Sequence, residues 1–162
     1  MKMTRIYPKS LTFTPVNGTA VTLATFQDAA AFNFSTTYGD SISQSDLMAV
    51  GRFITGTAAT LRIVAKHVTT QQLAALAGAD YDPATEAVKG RISWDSNYGS
   101  VSLVGYDSDA HREVVIKLEK TIPSVNGDIT FAKESEVTVA VEFMALKPDT
   151  DVPFFTITPA TA

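Results

Sequence analysis

The stretch SEVTVAVEFMALKPDTDVPFFTI, residues 135–157, holds a long alternation of apolar and polar residues, a polar turn and then a second apolar segment. From Glu136 to Leu146, the valines and Phe143 fall on one face, and Thr138 and the glutamates fall on the other. This period of two predicts a strand with one buried face. At about 3.3 Å per residue the strand would reach about 36 Å, well beyond the usual length. No acid/base or nucleophile pair typical of a catalytic site can be named on this strand.

The same alternation recurs in HREVVIKLEK (111–120) and TLRIVAK (60–66), and shorter strands are predicted in GSVSLVGY (99–106), GDITFA (127–132) and RISW (91–94). Polar turns and an Asn-Gly pair separate these segments, which favours antiparallel hairpins. We therefore expect a meander in which GSVSLVGY pairs with REVVIKLEK and leads through GDITFA to the long strand. The predicted inward residues are Val114, Ile116, Leu118, Leu61, Ile63 and Ala65.

One helix is predicted, in HVTTQQLAALAG (67–78). Thr69 and Gln72 form a capping box, and Gly78 is placed to end the helix. A second helical turn is expected at Asp82-Pro83, with proline at the first helical position and Gly90 beyond the end. The residues expected to dock the first helix are Val68, Leu73, Leu76 and Ala77.

Residues 33–59, NFSTTYGDSISQSDLMAVGRFITGTAA, follow a different pattern. The first half is rich in Ser, Thr, Gly and Asp, and a structureless loop of this length inside a domain usually indicates function or disorder. We predict an extended arm or long hairpin that packs outside its own monomer, and an ordinary hairpin with a loose tip is the alternative. The apolar residues available for such contacts are Leu47, Met48, Val50, Phe53 and Ile54.

The chain of 162 residues is the size of one domain, 1–162. It has no cysteine, which excludes disulfides and thiolate metal sites. The net charge of −4 argues against binding driven by phosphate neutralisation. No apolar run is long enough to cross a bilayer, and the first residues lack the apolar core of a signal peptide. We expect a soluble product made in the cytoplasm.

No catalytic or metal site is predicted. His67 and His111 lack the spaced partners of a zinc site, and no nucleophile elbow or phosphate-binding glycine loop occurs. Asp107 and Asp109 have the spacing of calcium ligands, as do residues 149 and 151, but neither stretch continues as a known calcium loop. No cofactor is expected.

Trp94, with Tyr98 nearby, is the one pair that suggests a ligand. Two aromatic rings can stack on a sugar, although a single Trp in an alternating strand is usually a core residue. A carbohydrate-binding β-sandwich is therefore an alternative function.

The last segment, VPFFTI, places Phe154 and Phe155 side by side. Consecutive residues of a strand point to opposite faces, so both faces are expected to need burial. Such a strand would lie inside the sheet or dock on a neighbouring subunit.

Taken together, the chain resembles bacteriophage tail tube proteins and is similar to the tube-forming subunits of type VI secretion systems. The resemblance rests on the arm STTYGDSISQSD (35–46), the helix TTQQLAALAG (69–78), the hairpin at 99–120 and the ending at 135–157. It covers most of the chain, is weakest before Thr25, and concerns layout rather than an invariant motif.

The resemblance implies a mainly β fold: an antiparallel β-sandwich or barrel with one flanking α-helix and a long extended arm loop. It also implies hexameric rings that stack into a virion tail tube, through which DNA passes without specific binding. The implied partners are further copies of the chain and tail proteins such as tape measure, sheath or terminator, and no membrane. Another ring-forming tail component, a terminator or baseplate protein, is the nearer alternative.

Within that resemblance we assign two sets of residues. An acidic lumen would repel phosphates, and the ring and stacking contacts would be apolar. The expected lumen residues are Glu113, Lys117, Glu119, Glu136, Thr138 and Glu142. The expected contact residues are Leu47, Met48, Val50, Phe53, Ile54, Phe154 and Phe155.

Overall fold

A computed structural model describes residues 6–42, 49–90, 97–125, 138–148 and 151–159. The predicted strands GDITFA and RISW, together with Trp94, Glu136, Leu47 and Met48, lie outside the described residues. One helix, α1 (Thr70–Ala77), lies among the strands β1 (Ile6–Pro15), β2 (Val21–Leu23), β3 (Ala31–Ile42), β4 (Ala49–Lys66), β5 (Asp80–Asp82), β6 (Ala87–Lys89), β7 (Gly99–Asp107), β8 (Arg112–Val125), β9 (Thr138–Ala145) and β10 (Phe155–Pro159).

Eight of the described strands form one antiparallel sheet in the order β2-β1-β7-β8-β9-β4-β3, with β10 also paired to β8. β8 has two neighbours on one side. β10 pairs with the first half of β8, and β9 pairs with its second half. Residues after β2 pair with the far part of the sheet, since Phe26 bridges Ala65 of β4. One short segment therefore borders both β1 and β4 and partly closes the sheet. The mainly β, antiparallel fold with one helix is confirmed.

The period of two places the core as predicted. The inward residues of β4, β8 and β9 are buried, and the side chains between them face outward. Phe13 of β1 contacts Phe143 of β9, with ring centroids 5.7 Å apart, although β7 and β8 separate these strands in the sheet. The sheet is therefore curled around one core. Its largest fully buried side chains include Phe13, Phe143, Leu11, Leu61, Leu76 and Leu118.

Helix α1 covers one end of this core, and its predicted boundaries are confirmed. The Thr69 hydroxyl accepts the Gln72 N–H, the Gln72 side chain accepts the Thr69 N–H, and Gly78 ends the helix with φ of 65°. The Gln72 amide also donates to the carbonyl of Thr22 at 2.8 Å, which ties the helix to β2. Ala74, rather than the predicted Ala77, is buried beside Leu76.

The predicted second helical turn is wrong. Asp82 ends β5, residues 83–86 form a turn, and Ala87 begins β6, which pairs with β5. The Asp82 carboxylate accepts the N–H of Ala84 at 3.0 Å. An Asp-Pro pair starts such a turn as readily as it starts a helix, and here the carboxylate stabilises the turn.

The opposite-face prediction for Phe154 and Phe155 is also wrong. Phe154 precedes β10, so the strand rule does not apply to it. The two rings meet edge to face at 5.1 Å, and both contact Phe34 of β3.

Candidate functional site

The β3–β4 hairpin extends beyond the curled sheet. Only Thr60–Lys66 of β4 pair with β9, whereas the earlier residues of β4 pair with β3 alone among the described strands. We call the part formed by residues 36–42 and 49–57 the arm. It contains most of the predicted 33–59 segment, and its form is the long hairpin that the sequence allowed.

The two strands of the arm differ in regularity. Thr37 pairs with Gly56 and Tyr38 with Ile54, so Thr55 is an extra residue in β4. Val50 is extra in the same way further along β4. The Thr55 hydroxyl donates to the carbonyl of Thr37 at 3.1 Å. Both bulges belong to β4, and β3 is continuous.

One side of the arm carries exposed apolar residues. Tyr38 and Ile54 are cross-strand partners and are 57% and 61% exposed. Val50 and Phe53 also lie in β4, but their side chains are outside the described part. Of the predicted contact residues in the arm, Ile54 is thus the one whose exposure is described, and Tyr38 was missed. The alternation of Phe32, Phe34 and Tyr38 along β3 was the available signal.

An aromatic cluster lies at the base of the arm. Phe155 contacts Phe32 and Phe34 at centroid distances of 5.3 Å and 5.0 Å. Phe154 contacts Phe34 at 6.2 Å. Phe154 and Phe155, expected at subunit contacts, therefore pack within their own protomer and join β10 to the start of the arm.

The described members of the predicted lumen set lie on the outer side of the sheet. Glu113, Lys117 and Glu119 alternate with buried residues of β8, and Thr138 and Glu142 do so in β9. The structure does not bring them into one group. Glu142 faces Ser124, which lies beyond Glu119 along β8.

Each described glutamate of this set has a cationic partner. Glu113 pairs with Lys9, Glu119 with Lys117 at 2.9 Å, and Glu142 with Arg62 at 2.7 Å. Three negative charges and three positive charges sum to zero. The acidic repulsion expected from the sequence is therefore offset within the protomer.

The outer side of β1, β7 and β10 is instead rich in short hydroxyl side chains. One row across the sheet runs from Thr22 through Thr12 and Ser102 to Lys117 and Thr156. The hydroxyls of Thr12 and Thr22 are 3.0 Å apart. We call this surface the hydroxyl face; it comprises Ser10, Thr12, Thr14, Ser100, Ser102, Thr156 and Thr158. Sequence reasoning missed it, although alternating Ser and Thr in KSLTFTP and GSVSLVGY marked it.

Tyr98, the described half of the predicted sugar platform, is half-buried, and the Lys120 ammonium lies 4.9 Å from its ring centroid. One ring face is therefore already covered by a cation. No helix in the described ranges has the length and hydropathy to cross a bilayer. Within the same ranges, no three potential metal ligands of the His, Cys, Asp and Glu types come together.

No protein-family model matches the chain, and no curated protein matches it.

Proposed function

We propose that the chain is a structural virion protein that assembles into rings and stacks them into a tail tube, forming a conduit for DNA. The observation that carries the proposal is the arm: a two-stranded ribbon that leaves its own core and exposes Tyr38 and Ile54. Isolated two-stranded ribbons are at best marginally stable in water, and more strands or a packing surface are needed to hold them. A further copy of the chain would supply that surface.

The exposed pair on the arm supports a head-to-tail contact. A projection on one part of a molecule that fits a different part of the next copy gives a heterologous interface, which closes into rings or continues as filaments. Rings and stacks both require contacts of this kind. An isologous contact between identical patches would stop at a dimer.

The outer sheet surface supports a conduit that does not retain DNA. Proteins hold nucleic acid mainly through Lys and Arg, which neutralise phosphates and release counterions. The hydroxyl face offers neutral side chains, and the described glutamates of the predicted lumen set form ion pairs with Lys9, Lys117 and Arg62. We propose that this paired and neutral surface, rather than an acidic one, faces the passage. The hydroxyl face and the ion-paired residues of β8 are neighbours on the sheet, because Thr156 of β10 pairs with Lys117 of β8.

Electron microscopy of the purified chain over a range of concentrations tests the proposal. Long hollow filaments are the expected result, and their absence together with persistent monomers would overturn it. Isolated rings that never stack would instead favour a terminator or baseplate component. Binding of glycans by monomers would favour the carbohydrate-binding alternative.

A further inference from the structure

The turn between β1 and β2 presents an Asn-Gly pair to solvent. Asn17 and Gly18 lie between Pro15, which ends β1, and Val21, which begins β2, and both are exposed. Among the described residues, no hydrogen bond holds the Asn17 side chain or the Gly18 N–H. A Cβ at position 18 would meet Cγ of Pro15 at 3.0 Å, so the turn favours glycine there. The fold therefore keeps an unrestrained asparagine directly before a glycine.

A second asparagine lines the same cleft but is held in place. The cleft is bordered by the β1–β2 turn, helix α1 and β5, and both Asn17 and Asn97 line it. The Asn97 side-chain nitrogen donates to the carbonyls of Ala75 and Leu76, at 2.7 Å and 3.4 Å. Tyr98 follows Asn97, and its carbonyl accepts a backbone N–H from the β1–β2 turn at 3.0 Å. The two asparagines thus share a cleft but differ in the freedom of side chain and backbone.

We propose that Asn17 is a site of spontaneous deamidation, at which the side-chain amide is converted to a carboxylate. The reaction requires the nitrogen of the following residue to approach the side chain closely, and a glycine in an exposed turn allows this because it has no Cβ and adopts many backbone conformations. The proposal does not rest on the proposed function, since it concerns the chemistry of the single chain.

The reaction balances with water as its only other reactant. The backbone nitrogen of Gly18 forms a bond to Cγ of Asn17 and loses its proton, the Cγ–Nδ2 bond breaks, and ammonia leaves with that proton. Water then opens the cyclic imide. Breaking the bond between the ring nitrogen and Cγ gives aspartate, whereas breaking the bond to the backbone carbonyl carbon gives isoaspartate.

Either product changes the charge of the cleft. A carboxylate replaces a neutral amide, so the net charge of −4 becomes more negative by one unit. Asp80 of β5 lines the same cleft, so a second acidic group is added to a surface that already has one. The flanking strands should keep their register, because Phe13 and Val21 are paired and Gln72 of the helix binds the Thr22 carbonyl.

Comparison of the folded and the denatured chain tests the proposal. Tandem mass spectrometry over a time course at mildly alkaline pH gives the deamidation rate of each asparagine separately. Each residue is compared with itself, so the effect of the following residue on reactivity cancels. We expect the folded rate at Asn17 to be within about threefold of its denatured rate, and the folded rate at Asn97 to be at least roughly tenfold below its own. Asn33, which pairs with Thr60 inside the sheet, should behave like Asn97.

Variants that carry the product residue give a matched pair. Asn17→Asp should leave Tm within about 2 °C of wild type, because the side chain is exposed and makes no hydrogen bond among the described residues. Asn97→Asp should lower Tm by at least roughly 3 °C, because it places a carboxylate against two helix carbonyls that now accept from an amide. Asn17→Gln should abolish the modification at this position, since the longer side chain disfavours ring closure.

The outcomes are distinct for each residue. The other Asn-Gly pair, Asn126 and Gly127, lies outside the described residues, and its rate is read separately from the same peptides. An Asn17 that reacts in the denatured chain but stays intact in the folded chain would overturn the proposal, as would equal protection of Asn17 and Asn97. Neither result affects the proposed function, which is tested by the formation of tubes.

Discussion

The exposed pair on the arm gives the most direct test of assembly. Tyr38 and Ile54 are 57% and 61% exposed in the protomer. Complete burial of an apolar side chain is worth about 1.5–3 kcal/mol, so covering the exposed part of each is worth roughly 1–2 kcal/mol. The double variant Tyr38→Ser, Ile54→Thr should therefore remove about 2–4 kcal/mol from each contact made by the arm.

That loss has a measurable consequence for assembly. Each 1.4 kcal/mol is about tenfold in an equilibrium constant, so the lowest concentration that supports filaments should rise by about 30-fold or more. Pelleting and electron microscopy over a dilution series measure this concentration. The fold should be unaffected, because exposed substitutions of this kind change stability by about 0.5 kcal/mol or less.

The chain offers a closely matched control. Tyr7 and Val16 are 57% and 59% exposed, and both lie outside the arm. The double variant Tyr7→Ser, Val16→Thr removes similar exposed apolar surface and should assemble within about threefold of wild type. Equal loss of assembly in both double variants would show that general hydrophobicity, and not the arm, drives association. Normal assembly of the arm variant would refute the reasoning outright.

Three further predictions concern the fold and the passage. Gly99→Ala should lower stability by about 3 kcal/mol, because its Cβ would meet the carbonyl oxygen of Thr14 at 2.2 Å, whereas Gly90→Ala has open space and should leave Tm within about 1 °C. Hydrogen bonds from Ala84 first, then Thr85 and Lys89, lower the pKa of Asp82 from 3.8. The ionised Asp82 carboxylate should therefore stabilise the fold above the unfolded pKa, and this stabilisation should be lost as the pH falls through the lower folded pKa. The Tm difference between wild type and Asp82→Asn should accordingly shrink toward pH 2. Ser102→Lys on the hydroxyl face should make assembled tubes retain DNA, and the logarithm of the binding constant should fall with the logarithm of the salt concentration with a slope of about 0.9 per added phosphate contact. Thr19→Lys, in the exposed β1–β2 turn, is the control and should not make the tubes retain DNA.

The sequence predicted the elements whose signals are local. The alternation in β8 and β9, the pairing of β7 with β8, and the helix between Thr69 and Gly78 all follow from periodicity and capping, which depend on neighbouring residues. The Asp-Pro pair at the end of β5 was ambiguous for the same reason. Both a helix start and a turn use those two residues, and the pairing with β6 that decides between them is not local.

The candidate site was harder to predict because it depends on the relation between strands. Lys9 and Glu113 are far apart in the sequence, and so are Arg62 and Glu142, so the pairing of the charges could not be deduced from any one strand. The hydroxyl face likewise needs three strands in register. The aromatic cluster was misread because Phe154 lies just outside β10, where the rule of alternating faces ends.

The distribution of charge over the sheet bears on how the chain avoids uncontrolled association. A monomer usually places unpaired charges, especially lysine, along its free edges. Here the described carboxylates of the predicted lumen set lie on strand faces in ion pairs with Lys9, Arg62 and Lys117, and the long edge of β3 keeps a single charged residue. Exposed ion pairs add little stability, so these charges are better explained by what they do to the surface: they leave it polar without a net field. Such a surface resists sticking to other proteins and to nucleic acid.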